Sequence, residues 1–228
     1  MIIIAEIGSS PAPEWAFERW CEAASLAGAT HVKAQMFQAA HFPPAEQASK
    51  RPLVFPRQRL GEFVSAAHQC GLKAGVSVFD LEAVDLAGQQ GDFLKLAARE
   101  ENEPSLLDRC LDVAKPLFRS VSSSEKWGGW TANGQIVHLR TIPQYPTPLA
   151  RALVEVVKTA RAWHKFSGAN SWGWSSHTRG ALDCWLAVAL GATVIEKHLC
   201  LTEHDLEAGH SLNPTQFKAM AQAIKGAR

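Results

Sequence analysis

The sequence predicts an α/β fold, a (β/α)8 TIM barrel that takes in residues 1–228 as one domain, with the helix after the fifth strand shortened or missing. Three observations predict it. Short apolar runs alternate with amphipathic stretches along the whole chain, the pattern of a parallel sheet covered by helices. A chain of 228 residues, 46% of them hydrophobic, is long enough to bury one large barrel core. Polar residues collect at the C-terminal ends of the apolar runs, where such barrels carry their sites. An open doubly wound sheet is the alternative, but no G-x-G-x-x-G follows the first strand to support it.

Ile2 to Ile7 reads as the first strand, and Glu14 to Leu26 as a helix with Trp15, Phe17, Trp20, Cys21 and Ala24 at helical spacing, stopped by Gly28. His31 to Phe37 is the second strand, and a long Pro-containing loop is expected from Gln38 to Pro56. Arg57 to Cys70 places Leu60, Phe63, Val64 and Ala67 on one helical face, and Gly71 ends it. Lys73 to Phe79 is the third strand, Leu81 to Gln89 a helix, and Phe93 to Ala98 the fourth strand. Pro104 to Ala114 is a helix with proline in its first turn, where a missing N–H costs nothing. Pro116 to Val121 is the fifth strand. Ser122 to Gln135 then lacks a helical stripe and holds three glycines, so a loop or extra hairpin is expected, with Trp127 and Trp130 filling the gap or forming an interface. Ile136 to Ile142, Ser171 to Ser175 and Thr193 to Leu201 are strands six to eight. Leu149 to Phe166, Arg179 to Leu190 and Pro214 to Ile224 are the helices that follow them.

A net charge of +1 argues against nucleic acid or an anionic membrane as the main partner. No apolar run reaches spanning length, and MIIIAE reads as a strand rather than a leader. Five scattered cysteines, none in a C-x-x-C pair, read as free thiols of a reducing, cytoplasmic setting.

The strand ends carry Glu6, Lys33, Gln35, Lys95, Ser120, Ser175, His177, Glu196 and His198. A lysine flanked by apolar residues needs an anionic partner when buried. For Lys33 and Lys95 that partner is either a phosphate or carboxylate ligand or a barrel carboxylate such as Glu6 or Glu196. His177 and His198 belong to adjacent strands. Each is either a hydrogen-bonded strand-end residue or one of two imidazoles sharing a divalent ion.

Several motifs are more specific. AEIGS (5–9), AGATHVKAQ (27–35), YPTP (145–148), SSHTRG (175–180), ALGATVIEKH (189–198) and SLNP (211–214) follow one another in the order found in the sialic acid synthase (NeuB) family, which the chain resembles from first strand to last helix. The resemblance implies a (β/α)8 barrel that condenses phosphoenolpyruvate with an amino sugar-like aldose, using Mn²⁺ or another divalent metal ion, to give a nonulosonic acid and phosphate. It implies His177 and His198 as metal ligands, and Lys33, Lys95, Ser120 and Ser175 as the phosphoenolpyruvate site. It places Glu6, Lys33, Gln35 and Tyr145 at the reacting groups, and Gln35, Tyr145 and Glu207 near the sugar.

The chain also departs from the family pattern. Ser9, Ser10 and Pro11 stand where the family has x-N-H, Val78 where it has a hydroxyl, Ala98 where it has the serine of K-x-G-S, and Ser176 where it has the aspartate of S-D-H-T. Pro143 replaces a polar residue two before Tyr145, and Arg99 is a candidate replacement phosphate ligand. Typical family members carry a C-terminal antifreeze-like domain, which is not expected in this sequence, so either a homodimer partner or a separate capping subunit supplies that cap, or the sugar differs, or no sugar is condensed. The alternatives are a barrel that binds a phosphorylated or sugar acid without condensing it, alone or as a subunit of a larger synthase assembly, and a metal-assisted aldol cleavage.

Overall fold

The computed structural model describes residues 1–12, 14–123, 136–166 and 171–226. Eight parallel strands close in sequence order into a barrel. They are β1 (Ile2–Gly8), β2 (His31–Met36), β3 (Lys73–Val78), β4 (Phe93–Leu96), β5 (Leu117–Val121), β6 (Ile136–Thr141), β7 (Trp172–Ser176) and β8 (Val194–His198). The helices are α1 (Phe17–Leu26), α2 (Pro44–Lys50), α3 (Leu60–Gln69), α4 (Leu81–Gln90), α5 (Pro104–Asp112), α6 (Leu149–Phe166), α7 (Leu182–Ala189) and α8 (Pro214–Gly226). β5 and β6 are hydrogen-bonded neighbours with no helix between them among the described residues. The segment 124–135, with Trp127 and Trp130, lies outside those residues.

Helical spacing sets which faces are buried. In α1 the buried residues are Phe17, Trp20, Cys21 and Ala24, and in α3 they include Leu60, Phe63, Val64 and Ala67. These stripes pack on the outward side chains of the strands, such as Ile3, Ala5, Val32 and Val76, to form the larger core. A second, smaller core fills the barrel itself, with Ile4, Phe93, Phe118, Leu139 and Val194 in contact. Phe93 and Phe118 meet edge-on at 5.2 Å between ring centres. Gly75 pairs with Phe93 across the ladder, and a Cβ there would lie 2.6 Å from the Phe93 carbonyl oxygen, so only glycine fits against that ring.

The expected loop at 38–56 contains α2, flanked by short 3-10 turns. That helix starts at a proline and buries none of its residues, so no apolar stripe announces it. The helix expected from Glu14 starts only at Phe17, and the strand expected to reach Leu201 ends at His198. Beyond β8, Leu199 bridges to Leu212 instead, which folds the intervening loop back over the mouth of the barrel.

Candidate active site

Strand alternation builds the site. Above the apolar plug, the next inward residue of each strand is polar. Register pairs Glu6 with both Lys33 and His198, Ser77 with Lys95, and Ser175 with Glu196. Around them opens a cavity of about 400 Å³ at the C-terminal end of the barrel. Its wall includes all the residues singled out from the sequence: Glu6, Lys33, Gln35, Lys95, Ser120, Tyr145, Ser175, His177, His198 and Glu207. The wall also includes Glu196, read from the sequence as a candidate carboxylate partner of the lysines, and His210, which the sequence reading gave no role.

Both lysines are buried and both have carboxylate partners. Lys33 is paired with Glu6 and donates to Ser77 Oγ at 2.6 Å. Lys95 donates to both oxygens of Glu196, at 2.8 and 2.9 Å, and Ser175 Oγ donates to the same carboxylate at 2.7 Å. Lys33 lies 3.9 Å from Glu196, so the four charges form one cluster. Burial pushes the Lys33 amine down to about 7, with Glu196 opposing the shift and Lys95 adding to it. Burial alone would raise the Glu196 carboxyl, but Lys95 and Lys33 hold it well below the usual carboxylate range. Val78 points outward into the core, and Ser77 brings a β3 hydroxyl into the cavity instead. Arg99 lines the rim, donating to the His41 carbonyl at 2.7 Å and lying over Phe42.

The histidines occupy the other half of the cavity. His177 Nδ1 donates to the Ile142 carbonyl at 2.8 Å. A carbonyl only accepts, so the proton sits on Nδ1 and the Nε2 lone pair is left available. His198 Nδ1 donates to Glu207 at 2.6 Å with the same consequence. The other Glu207 oxygen accepts from Ser9 N at 3.2 Å. Burial first, and the neighbouring His198 second, push the His177 imidazole well below its ordinary value, so it is neutral. Burial opposes the Glu207 charge, but His198 beside it outweighs this and leaves the carboxyl below its ordinary value. Tyr145 stacks at a tilt on His177, with 4.1 Å between ring centres.

This donor set fits a divalent ion. The imidazoles of His177 and His198 are 5.4 Å apart between centres, and each is oriented by a hydrogen bond from the nitrogen that would not ligate. Ligand atoms of His198, Glu207 and His210 lie within 4.8 Å of one another. Glu207 reaches this position because Gly8 stands opposite, with a φ of +55° and no Cβ to collide with the carboxylate. The sequence offered one late signal for His210, its place just ahead of the SLNP stretch, but nothing in that loop's periodicity said which way it folds.

Fold and cavity together define a (β/α)8 barrel with a buried charge cluster and an imidazole group at its C-terminal mouth. Residues 20–228 match the NeuB family, and the chain belongs to that family. It is 28% identical over 186 residues to an uncharacterized protein of Methanocaldococcus jannaschii, covering 77% of this chain and 54% of that one. It is 27% identical over 179 residues to the N,N'-diacetyllegionaminic acid synthase of Campylobacter jejuni, covering 72% and 52%. In fold it is similar to the N-acetylneuraminic acid synthetase of Leptospira borgpetersenii, solved with citrate, with a TM-score of 0.86 and 19% identity over 99% of this chain and 82% of that one. The chain spans about half the length of the curated relatives it matches. No helix among the described residues is long and apolar enough to cross a membrane.

Proposed function

We propose that this chain is the barrel of a synthase that condenses phosphoenolpyruvate with an aldose, in the presence of a divalent ion, to give a nonulosonic acid and phosphate. The observation that carries this reading is that two buried lysines and two Nδ1-anchored histidines open onto one cavity. The basic residues of its wall are Lys33, Lys50, Lys95 and Arg99, and the acidic ones are Glu6, Glu196 and Glu207. A divalent cation and a phosphate that also carries a carboxylate bring such a wall close to neutrality.

His177 and His198 would hold the metal through Nε2, with Glu207 fixing the His198 ring. A bound divalent ion supplies Lewis acidity toward the aldehyde oxygen. Lys33 and Lys95 neutralise the phosphate and carboxylate of the enol, with Ser120 as a hydroxyl donor and Ser175 as a second once its proton turns from Glu196 to the ligand. C3 of the enol forms the new bond to the aldehyde carbon, whose oxygen takes up a proton. Water adds at C2, the C2–O bond to phosphate breaks, and a 2-keto acid and inorganic phosphate result. Glu6, beside Lys33 at the cavity wall, is placed to orient that water and take its proton. Gln35 and Tyr145 face the same space and would contact the sugar.

The test is phosphate release from phosphoenolpyruvate across an aldose panel with Mn²⁺. Release that requires both aldose and metal supports the reading. Pyruvate formed from a keto acid, without phosphate, would assign an aldol cleavage instead. One observation favours a barrel that binds without condensing: Lys33 and Lys95 already have carboxylate partners. Saturable phosphoenolpyruvate binding without turnover for any aldose would select it.

Two further results are expected. The Lys33 amine is charged below about 7 and neutral above it, so phosphoenolpyruvate affinity should fall as pH rises through that value. Titrations over a pH series check this, and a flat profile would show that Glu6 keeps Lys33 charged throughout. Gly8→Ala should cost about 1–2 kcal/mol for the left-handed backbone. It should also weaken Mn²⁺ binding about 10- to 100-fold by displacing the carboxylate behind His198. Unchanged Mn²⁺ affinity in a folded Gly8→Ala protein would remove Glu207 from the metal site.

A further inference from the structure

We propose that His210 is a third imidazole ligand, which biases this barrel toward nitrogen-seeking ions such as Zn²⁺ and Co²⁺ and away from Mn²⁺ and Mg²⁺. The inference rests on the metal reading of His177 and His198 given above. Three imidazoles bound at about 2.0–2.1 Å in a tetrahedral shell place their ring centres about 5 Å apart. Here the centres are separated by 4.5 Å for His198 and His210, whose ligand atoms lie within 4.8 Å of each other, by 5.4 Å for His177 and His198, and by 6.1 Å for His177 and His210, so His177 must draw in toward the other two to share an ion with them. The rings meet at steep angles rather than in stacks. His210 lines the cavity, and neither of its ring nitrogens makes a hydrogen bond among the described residues. Both nitrogens are therefore free to ligate, whereas His177 and His198 each have one committed.

The position of His210 is built by its surroundings. Its N–H donates to the Glu207 carbonyl at 3.2 Å, and Ser211 Oγ donates to the same carbonyl at 2.6 Å. Leu212 N donates to the His198 carbonyl at 2.9 Å, which ties the end of the turn to β8. The fully buried Lys197 completes the arrangement. Its ammonium donates to Ser176 Oγ at 3.2 Å, to the Thr178 carbonyl, and to the His210 carbonyl at 3.2 Å. Ser176 and Thr178 flank His177, and Lys197 itself precedes His198. One buried ammonium thus fastens together the three segments that present the three imidazoles. Divalent ions of the late first row gain more from each added imidazole than Mn²⁺ or Mg²⁺ do, because the latter favour oxygen ligands.

The experiment is titration of the metal-stripped chain with Zn²⁺, Co²⁺ and Mn²⁺, using wild type, His210→Gln, His210→Ala and His198→Ala. Circular dichroism of each apo variant confirms folding. The expected result is that both His210 variants lose about tenfold or more in Zn²⁺ affinity, with a much smaller change for Mn²⁺. The visible bands of the Co²⁺ complex should also lose the intensity that marks four-coordination. If Zn²⁺ affinity and the Co²⁺ spectrum are unchanged in a folded His210 variant while His198→Ala loses binding, His210 is not a ligand and the two-histidine site stands. If His198→Ala also binds as wild type does, or wild type binds no ion, the metal reading fails and the inference with it.

Discussion

Replacing His198 by alanine is expected to abolish divalent-ion binding while leaving the barrel folded. His198 lies at the centre of the imidazole group, 5.4 Å from His177 and 4.5 Å from His210 between ring centres, and its ring is held by the Glu207 carboxylate. Even removal of an outer partner of a metal ligand typically costs 10- to 100-fold in affinity, so loss of the ligand itself should cost more than about 100-fold. His198→Ala deletes a buried ring at the mouth of the cavity and leaves the apolar plug below untouched. Calorimetric titration of Mn²⁺ into the apo variant, beside a thermal melt, separates the two effects. Binding as tight as wild type would show that the histidines are strand-end residues of structural use only.

Lys95→Met should reduce both stability and phosphoenolpyruvate binding. Lys95 is the partner of both Glu196 oxygens at the centre of the barrel. Removing one member of a buried pair leaves the other charge uncompensated, a loss of about 3–5 kcal/mol. Glu196 still has Ser175 and, at 3.9 Å, Lys33, which place the effect toward the lower end of that range. The double variant Lys95→Met with Glu196→Gln should recover much of the stability, because no lone buried carboxylate remains. It should not recover ligand binding, which needs the ammonium. Denaturant unfolding and phosphoenolpyruvate titration of the single and double variants check both parts. Recovery of ligand binding in the double variant would take Lys95 out of the anion site.

Much of this arrangement is legible in the sequence. Glu6, Lys33, Lys95, Ser175 and His198 sit at the ends of apolar runs, and period-two alternation turns them all to the inside of a closed barrel. Register was not legible, and it decided the third strand. The alternation points Ser77 into the cavity and Val78 into the helix layer, so a hydroxyl judged lost at Val78 is supplied one residue earlier. Nor does spacing choose a partner for Lys95, since Glu196 on β8 reaches Lys95 on β4 only across the closed barrel. α2 is not legible because it is exposed and has no apolar stripe. His210 is the most consequential omission. Its position depends on the Leu199–Leu212 bridge and on Lys197, contacts between residues that share no periodic pattern.

Whether the buried lysines and the imidazole group serve one ligand site can be read without knowing the sugar, by calorimetric titration of phosphoenolpyruvate into the metal-stripped chain with and without Mn²⁺. Saturable one-site binding that tightens when Mn²⁺ is present is the expected result. Absence of binding in both states would contradict it, and would mean that Lys33 and Lys95 serve only to neutralise Glu6 and Glu196.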